Sequence, residues 1–366
     1  MLSFLKKRFS QPAIPTLKSR AEQFWAWYAR SAKRFYETIE AGGCPSLADE
    51  VSAKVQELFP GLAWVFGAGE GKGHSFTLSG EGVLHRQLLA IYCVSCAPNL
   101  EGWTFYASRQ PGSIEDVRME IGGEKFDPIE FWITPVVDSA SQKIDITVWH
   151  PLFDRLTEKQ RWSPLFLFLD EVLGEFGTGQ WIGEIKLNDK RLVDSIPLKE
   201  LYAFVKKAET EKGWQKLPPG EAGVVYSRKK RANRFLRDDI ITGSTVNPDL
   251  VNEYYCAEGQ LEDPLAGTGA DYVFVTFDCA FFRKVEELVN ERTVIEESLS
   301  QALQTNRSGR LLGGAFGSRF AYIDLLLFDG NNSLVIVQRV LHEHNLPTGT
   351  AINFFAKERQ DRRVVL

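Results

Sequence analysis

Residues 311–355 run LLGGAFGSRFAYIDLLLFDGNNSLVIVQRVLHEHNLPTGTAINFF. The stretch reads strand, turn, strand, helix, strand: 310–313 and 320–328 as strands, 331–344 as a helix and 351–355 as a closing strand. Just upstream, 272–277 reads as a strand and 281–304 as a long, charged amphipathic helix. The order β-α-β-β-α-β is a split βαβ unit, the ferredoxin-like plan.

From His74 the N-terminal half repeats this plan with one strand added. Strand 74–78 is followed by helix 82–97, strands 103–108, 129–137 and 143–149, helix 157–174 and strand 181–187. The 82–97 segment reads as a helix because Pro98, Asn99 and Gly102 end it, although 90–96 alone has strand character. Pro164 lies in the first half of the 157–174 helix, where a kink is expected. Segment 117–122 is extra to the plan. Two halves of one plan suggest a duplication or a fusion of similar modules.

Ahead of both halves, a leader over 1–16 is closed by Pro12 and Pro15. A helix follows from Leu17 to about Ala41, with Phe24, Tyr28, Phe35 and Ile39 at helical spacing. Ser46 then caps a second helix through Leu58, with Asp49 at the capping-box position. The KLPPG run at 216–220 is the linker candidate, and 223–268 has the weakest pattern, offering a strand at 224–227, a second strand at 239–243 and a short helix at 248–255. The expected fold class is therefore α+β: two ferredoxin-like (βαββαβ-type) domains at 61–215 and 221–366, with additional N-terminal helices in a segment at 1–60.

Composition narrows the function classes. A 366-residue chain with 44% hydrophobic and 25% charged residues has the balance of a globular protein. A formal charge of −5 gives no global attraction to nucleic acid or anionic lipid. No apolar run reaches the roughly 20 residues that cross a bilayer. The opening MLSFLKKRF lacks the layout of a secretory signal. Five cysteines fit a reducing compartment, so a bacterial-type cytoplasm is expected.

Cys93 and Cys96 have the CxxC spacing of redox and zinc sites. They lie late in an apolar segment without a second ligand pair, and read as core. The glycine-rich 67–73 run departs from the Walker pattern at Gly73, where a hydroxyl is required, and reads as a hairpin loop. His342 and His344 are two apart on a helix and face away from each other, so no metal site is expected there. His74, His85 and His150 stand alone, and no catalytic triad can be assembled. No cofactor, metal or catalytic residue is expected.

Two places remain as candidate sites. Gly313, Gly314 and Gly317, between two strands, could admit a partner's backbone or a small anion, or simply serve a tight connection. Asp324, in an apolar strand, joins them as a candidate ligand-binding residue. Its counterpart in the first half is Asp145, and either carboxylate could also face solvent. The second place is the basic run Arg228, Lys229, Lys230, Arg231, Arg234 and Arg237, a solvated loop, a docking surface for an acidic protein or, less fittingly, a phosphate contact.

Phe24-Trp-Ala-Trp-Tyr28, the 97–103 APNLEGW segment with Phe105 and Arg109-Gln-Pro111, 168–175 FLDEVLGE and 181–183 WIG are similar to motifs of uncharacterised bacterial proteins near the DUF695 type of domains of unknown function. Leu312-Gly-Gly-Ala, Tyr322-Ile-Asp-Leu and 346–350 LPTGT resemble them too. The resemblance implies a small bacterial α+β protein, found beside regulators of RNA-degrading enzymes or as an immunity partner of secreted toxins, and brings no catalytic residue. The leading expectation is a non-catalytic cytoplasmic protein-binding or regulatory protein, in one form an immunity protein masking a toxin. One alternative is an enzyme acting on a small or nucleotide-like ligand between the halves, where Asp145, Asp324, Arg109 or His150 would converge. The other is RNA binding through 228–237.

Overall fold

The computed structural model describes residues 15–114, 119–121, 123–215, 217–229, 233–282 and 288–366. The leader up to residue 14, part of the 117–122 segment, and Lys230 and Arg231 of the basic run lie outside the described residues. The protein is mixed α+β with several sheets, and its chain divides into two compact units. Among the described residues, the first unit is built from those in 15–61, 96–98 and 222–366, and the second from those in 62–95 and 99–221. The N-terminal helices thus belong to the same unit as the C-terminal sheet. Among the described residues no helix is long and apolar enough to cross a membrane.

Helix α1 (Leu17–Glu40) begins at Thr16, whose hydroxyl accepts from the Ser19 N–H at 3.2 Å. The Leu17 N–H donates to Gly269 O at 3.0 Å and the Lys18 N–H to Phe328 O at 2.9 Å, so sequence-distant backbone completes the helix start. Helix α2 (Ala48–Leu58) is preceded by a 3-10 turn over Cys44–Leu47. Ser46 sits inside that turn and donates to Gly43 O, so it is not the cap expected from its place before Asp49.

In the second unit β1 (Ala63–Ala68) and β2 (His74–Ser79) form a hairpin around the glycine-rich loop. Helix α3 (Leu84–Ser95) then crosses to β3 (Trp103–Tyr106), which pairs parallel to β2. A ribbon of β4 (Met119–Ile121) and β5 (Glu124–Phe126) follows. The antiparallel pair β6 (Trp132–Asp138) and β7 (Lys143–Trp149) comes next. Helices α4 (Glu158–Leu173) and α5 (Glu175–Trp181) lead to β8 (Ile182–Leu187), parallel to β7. The unit closes with β9 (Ile196–Pro197) and α6 (Leu201–Lys212). The strand orders are β1-β2-β3 and β8-β7-β6-β9. The strands expected to form one ferredoxin-like sheet therefore lie in separate sheets. Alternation along β7 buries Ile144, Ile146 and Val148 in a cluster with Leu165, Phe168 and Leu169 of α4.

The first unit continues with β10 (Val224–Ser227), β11 (Ile240–Thr245) and α7 (Pro248–Cys256). Then come β12 (Asp271–Asp278), α8 (Leu288–Thr305), β13 (Gly309–Gly317), β14 (Phe320–Leu327), α9 (Gly330–Glu343), β15 (Ala351–Phe354) and β16 (Val364–Val365). They form one antiparallel sheet in the order β10-β11-β13-β14-β12-β15-β16. One face presents Val273, Val275, Ile323 and Leu325 to Ile295, Leu299 and Val337 of α8 and α9. The other presents Phe274, Tyr322 and Asp324. It is covered by the poorly patterned segment, through Arg237, Tyr254 and Tyr255.

Candidate functional site

The glycines at 313–317 lie within β13, not in a connection. The turn is Ser318-Arg319, and β13 is paired on both sides. Their missing side chains make room for the chain's own groups. A Cβ on Gly314 would overlap the Arg292–Glu296 ion pair of α8 (2.8 Å), and one on Gly317 would overlap the Asp239 carboxylate. Gly313 has φ of +144° and its backbone lies against Ser244 of β11. At Gly317 the group that takes the space is thus the chain's own Asp239 carboxylate.

Asp324 is buried on the covered face and holds Arg237 in a two-pronged ion pair, Arg237 Nη1 to Oδ1 and Nη2 to Oδ2, the latter at 2.8 Å. Arg237 is fully buried, with Phe274, Tyr322 and Phe355 rings about its guanidinium at 5.0, 5.2 and 4.9 Å. Burial opposes the charge, but Asp324 outweighs it and holds the Arg237 pKa above its ordinary value. The Arg237 N–H donates to Tyr322 Oη at 3.2 Å, the Tyr255 hydroxyl donates to Arg237 O at 3.0 Å, and the Tyr322 hydroxyl donates to Asp239. Asp239 also accepts from the N–H groups of Arg319 and Phe320. This network holds Arg237 at φ +77°, a left-handed conformation unusual for a side chain of its size. Two residues from different candidate sites, Arg237 and Asp324, therefore form one internal pair, and neither faces a partner.

The rest of the basic run is divided as well. Arg228 lies 3.1 Å over the Tyr255 ring, and Arg234 pairs with Glu258 at 3.0 Å. Lys229 is exposed. The run continues directly from β10, an edge strand that among the described residues pairs with β11 alone. Val225 is 76% exposed, Val224 47%, and Ile241 of β11 48%. The Arg228 N–H donates to Ile241 O at 2.9 Å, so by alternation the N–H and C=O groups of Val225 and Ser227 point away from β11. This edge was not singled out from sequence. The available signal was Val224-Val-Tyr226 immediately before the charges.

In the second unit the resemblance residues Arg109 and Glu175 meet. Glu175 is buried and accepts from Ser79 Oγ at 2.8 Å, Gln87 Nε2 at 2.9 Å and the Gly82 N–H at 3.1 Å. Arg109 pairs with Glu81 at 2.8 Å. Asp170 of α4 is pushed up to about 6 by burial, against the Thr178 hydrogen bond and with the Glu175 charge adding to the rise. Nothing in the sequence pattern announced this cluster, in which Ser79 and Glu175, hydrogen-bonded to each other, lie 96 positions apart. His150 is enclosed by Phe126, Phe131 and Phe153, and burial lowers it to about 4. Asp145 accepts from the Glu184 N–H at 2.7 Å. Arg109, Asp145 and His150 each have their own surroundings within this unit. Cys93 is buried in α3, none of the five cysteines forms a disulfide among the described residues, and no metal-holding group of three His, Cys, Asp or Glu occurs among them.

No family model, curated protein or solved structure matches this chain.

Proposed function

We propose that the protein is a non-catalytic protein-binding regulator, and that its partner adds an extended, acidic segment as an eighth strand alongside β10. The observation that carries this reading is the open β10 edge, with two exposed valines and unpaired outward backbone groups. Such edges are usually blunted by charge, proline or a covering element, because they invite pairing. Strand addition takes its affinity from main-chain hydrogen bonds, and charged flanks select among partners. Here the exposed Lys229 follows two residues after the strand and favours an acidic segment.

The β12–α8–β13–β14–α9–β15 order, with β12 and β14 at the centre, supports reading residues 271–354 as ferredoxin-like. Neutralisation of a toxin is one form of the masking proposed, in a bacterial-type cytoplasm. The DUF695-type likeness is proposed on its quoted motifs alone.

The test is Val225→Pro. Proline removes an outward N–H and leaves the inward ladder to β11 intact. In parallel captures from the source lysate, read by mass spectrometry, the unsubstituted protein should recover one stoichiometric partner that Val225→Pro loses. Recovery unchanged by Val225→Pro, or turnover abolished by one polar substitution, overturns the reading.

A further inference from the structure

A cavity of about 260 Å³ lies in the first unit between the segment covering the sheet and the C-terminal residues. Phe235, Tyr254 and Phe274 give it aromatic walls, and Gln260, Gln360, Asn353 and Arg363 supply its polar side chains. An apolar cavity of about 150 Å³ already accommodates benzene, and pockets for larger ligands begin at about 300 Å³. The size therefore suits a single ring bearing a small substituent.

The polar groups decide which substituent. No carboxylate lines the cavity. Arg363 is exposed, and among the described residues its side chain has no hydrogen bond or ion pair. Gln360 Nε2 donates to Gly259 O at 2.7 Å and Gln260 Nε2 to Gln360 Oε1 at 3.5 Å. Each amide nitrogen carries two hydrogens, so each keeps one donor in reserve. Asn353 is already committed, donating to Thr276 Oγ1 at 3.1 Å and Ala351 O at 3.2 Å. Aromatic walls with one cation, spare amide donors and no acid select a planar anion. Gly259, at φ +81°, brings its backbone against the Phe235 ring, so the Phe235 wall depends on a residue without a side chain.

We propose that this cavity is a binding site for a monocyclic aromatic carboxylate, its ring between Phe235, Tyr254 and Phe274 and its carboxylate on Arg363. The site is separate from the β10 edge and does not depend on the partner reading.

The experiment is a titration of the full chain with sodium benzoate, followed by amide chemical shifts and calorimetry. Benzyl alcohol and sodium acetate serve as controls for ring alone and charge alone. Saturable benzoate binding is expected, at least about tenfold tighter than either control, since a charged, two-pronged contact is the strong kind. Arg363→Gln should weaken benzoate by about tenfold and leave benzyl alcohol unchanged. Leu236→Trp, which adds bulk to the lining, should abolish binding of both while the protein stays folded. Non-saturating shifts, equal binding of benzoate and benzyl alcohol, or indifference to Arg363→Gln overturns the proposal.

Discussion

His150 and Asp170 pull the second unit in opposite directions as pH changes. His150 in its phenyl cage is lowered from 6.5 to about 4, so between these values the unfolded chain takes up a proton that the folded protein refuses. Its contribution to stability is present above about 6.5 and lost as pH falls toward 4. Asp170 is raised from 3.8 to about 6, so in that window the folded protein keeps a proton that the unfolded chain has released. Its contribution is present below about 4 and lost as pH rises through 6. Between 4 and 6 the two slopes oppose each other. We expect Asp170→Asn to steepen the loss of stability on acidification and His150→Gln to flatten it. Urea midpoints measured at several pH values check this, and parallel profiles for both variants and the parent would refute it. Neither group could be assigned from sequence: His150 stood alone there, and Asp170 owes its environment to Glu175 and Thr178 across the α4–α5 corner.

At the scale of elements, what was legible was what repeats. Strand 320–328 and helix 331–344 were expected, and β14 and α9 lie within a residue of those bounds at Phe320–Leu327 and Gly330–Glu343. Strand 310–313 was expected to end at its glycines, yet β13 runs on to Gly317. A glycine that makes room for a neighbour's side chain looks, in a single chain, like one that makes a turn. The alternation of β6 and β7 marked them as hairpin partners, but carries no information about which other strands share their sheet. In the cover over the sheet the strand at 224–227 and the helix at 248–255 were legible, as β10 at Val224–Ser227 and α7 at Pro248–Cys256. What holds the cover down was not, because that hold is polar and non-periodic and rests on the Arg237–Asp324 pair. Arg237→Met alone strands a buried carboxylate and should cost about 3–5 kcal/mol. Arg237→Met with Asp324→Leu removes both charges and should recover much of that loss. Urea denaturation of the single and double variants checks this, and a double variant as unstable as the single one would argue against it.

For the whole molecule, the two units supply a separable readout. Residues 62–221 contain the sheets, helices and apolar cluster of the second unit. That fragment should unfold cooperatively by itself and show a dispersed amide spectrum; a disordered fragment would contradict the division. In the full chain, Arg237→Met should shift one unfolding transition and His150→Gln the other.

The anchoring of α1 also sets a timetable for synthesis. The Leu17 and Lys18 N–H groups find their acceptors at Gly269 and Phe328. At about 5–20 residues per second, a ribosome needs roughly 12–50 seconds to travel the first of these distances. The second unit, encoded in between, is fully translated first and can fold while α1 is still waiting. A chain stalled before residue 269 would leave the Leu17 and Lys18 N–H groups to water, since their acceptors are not yet made.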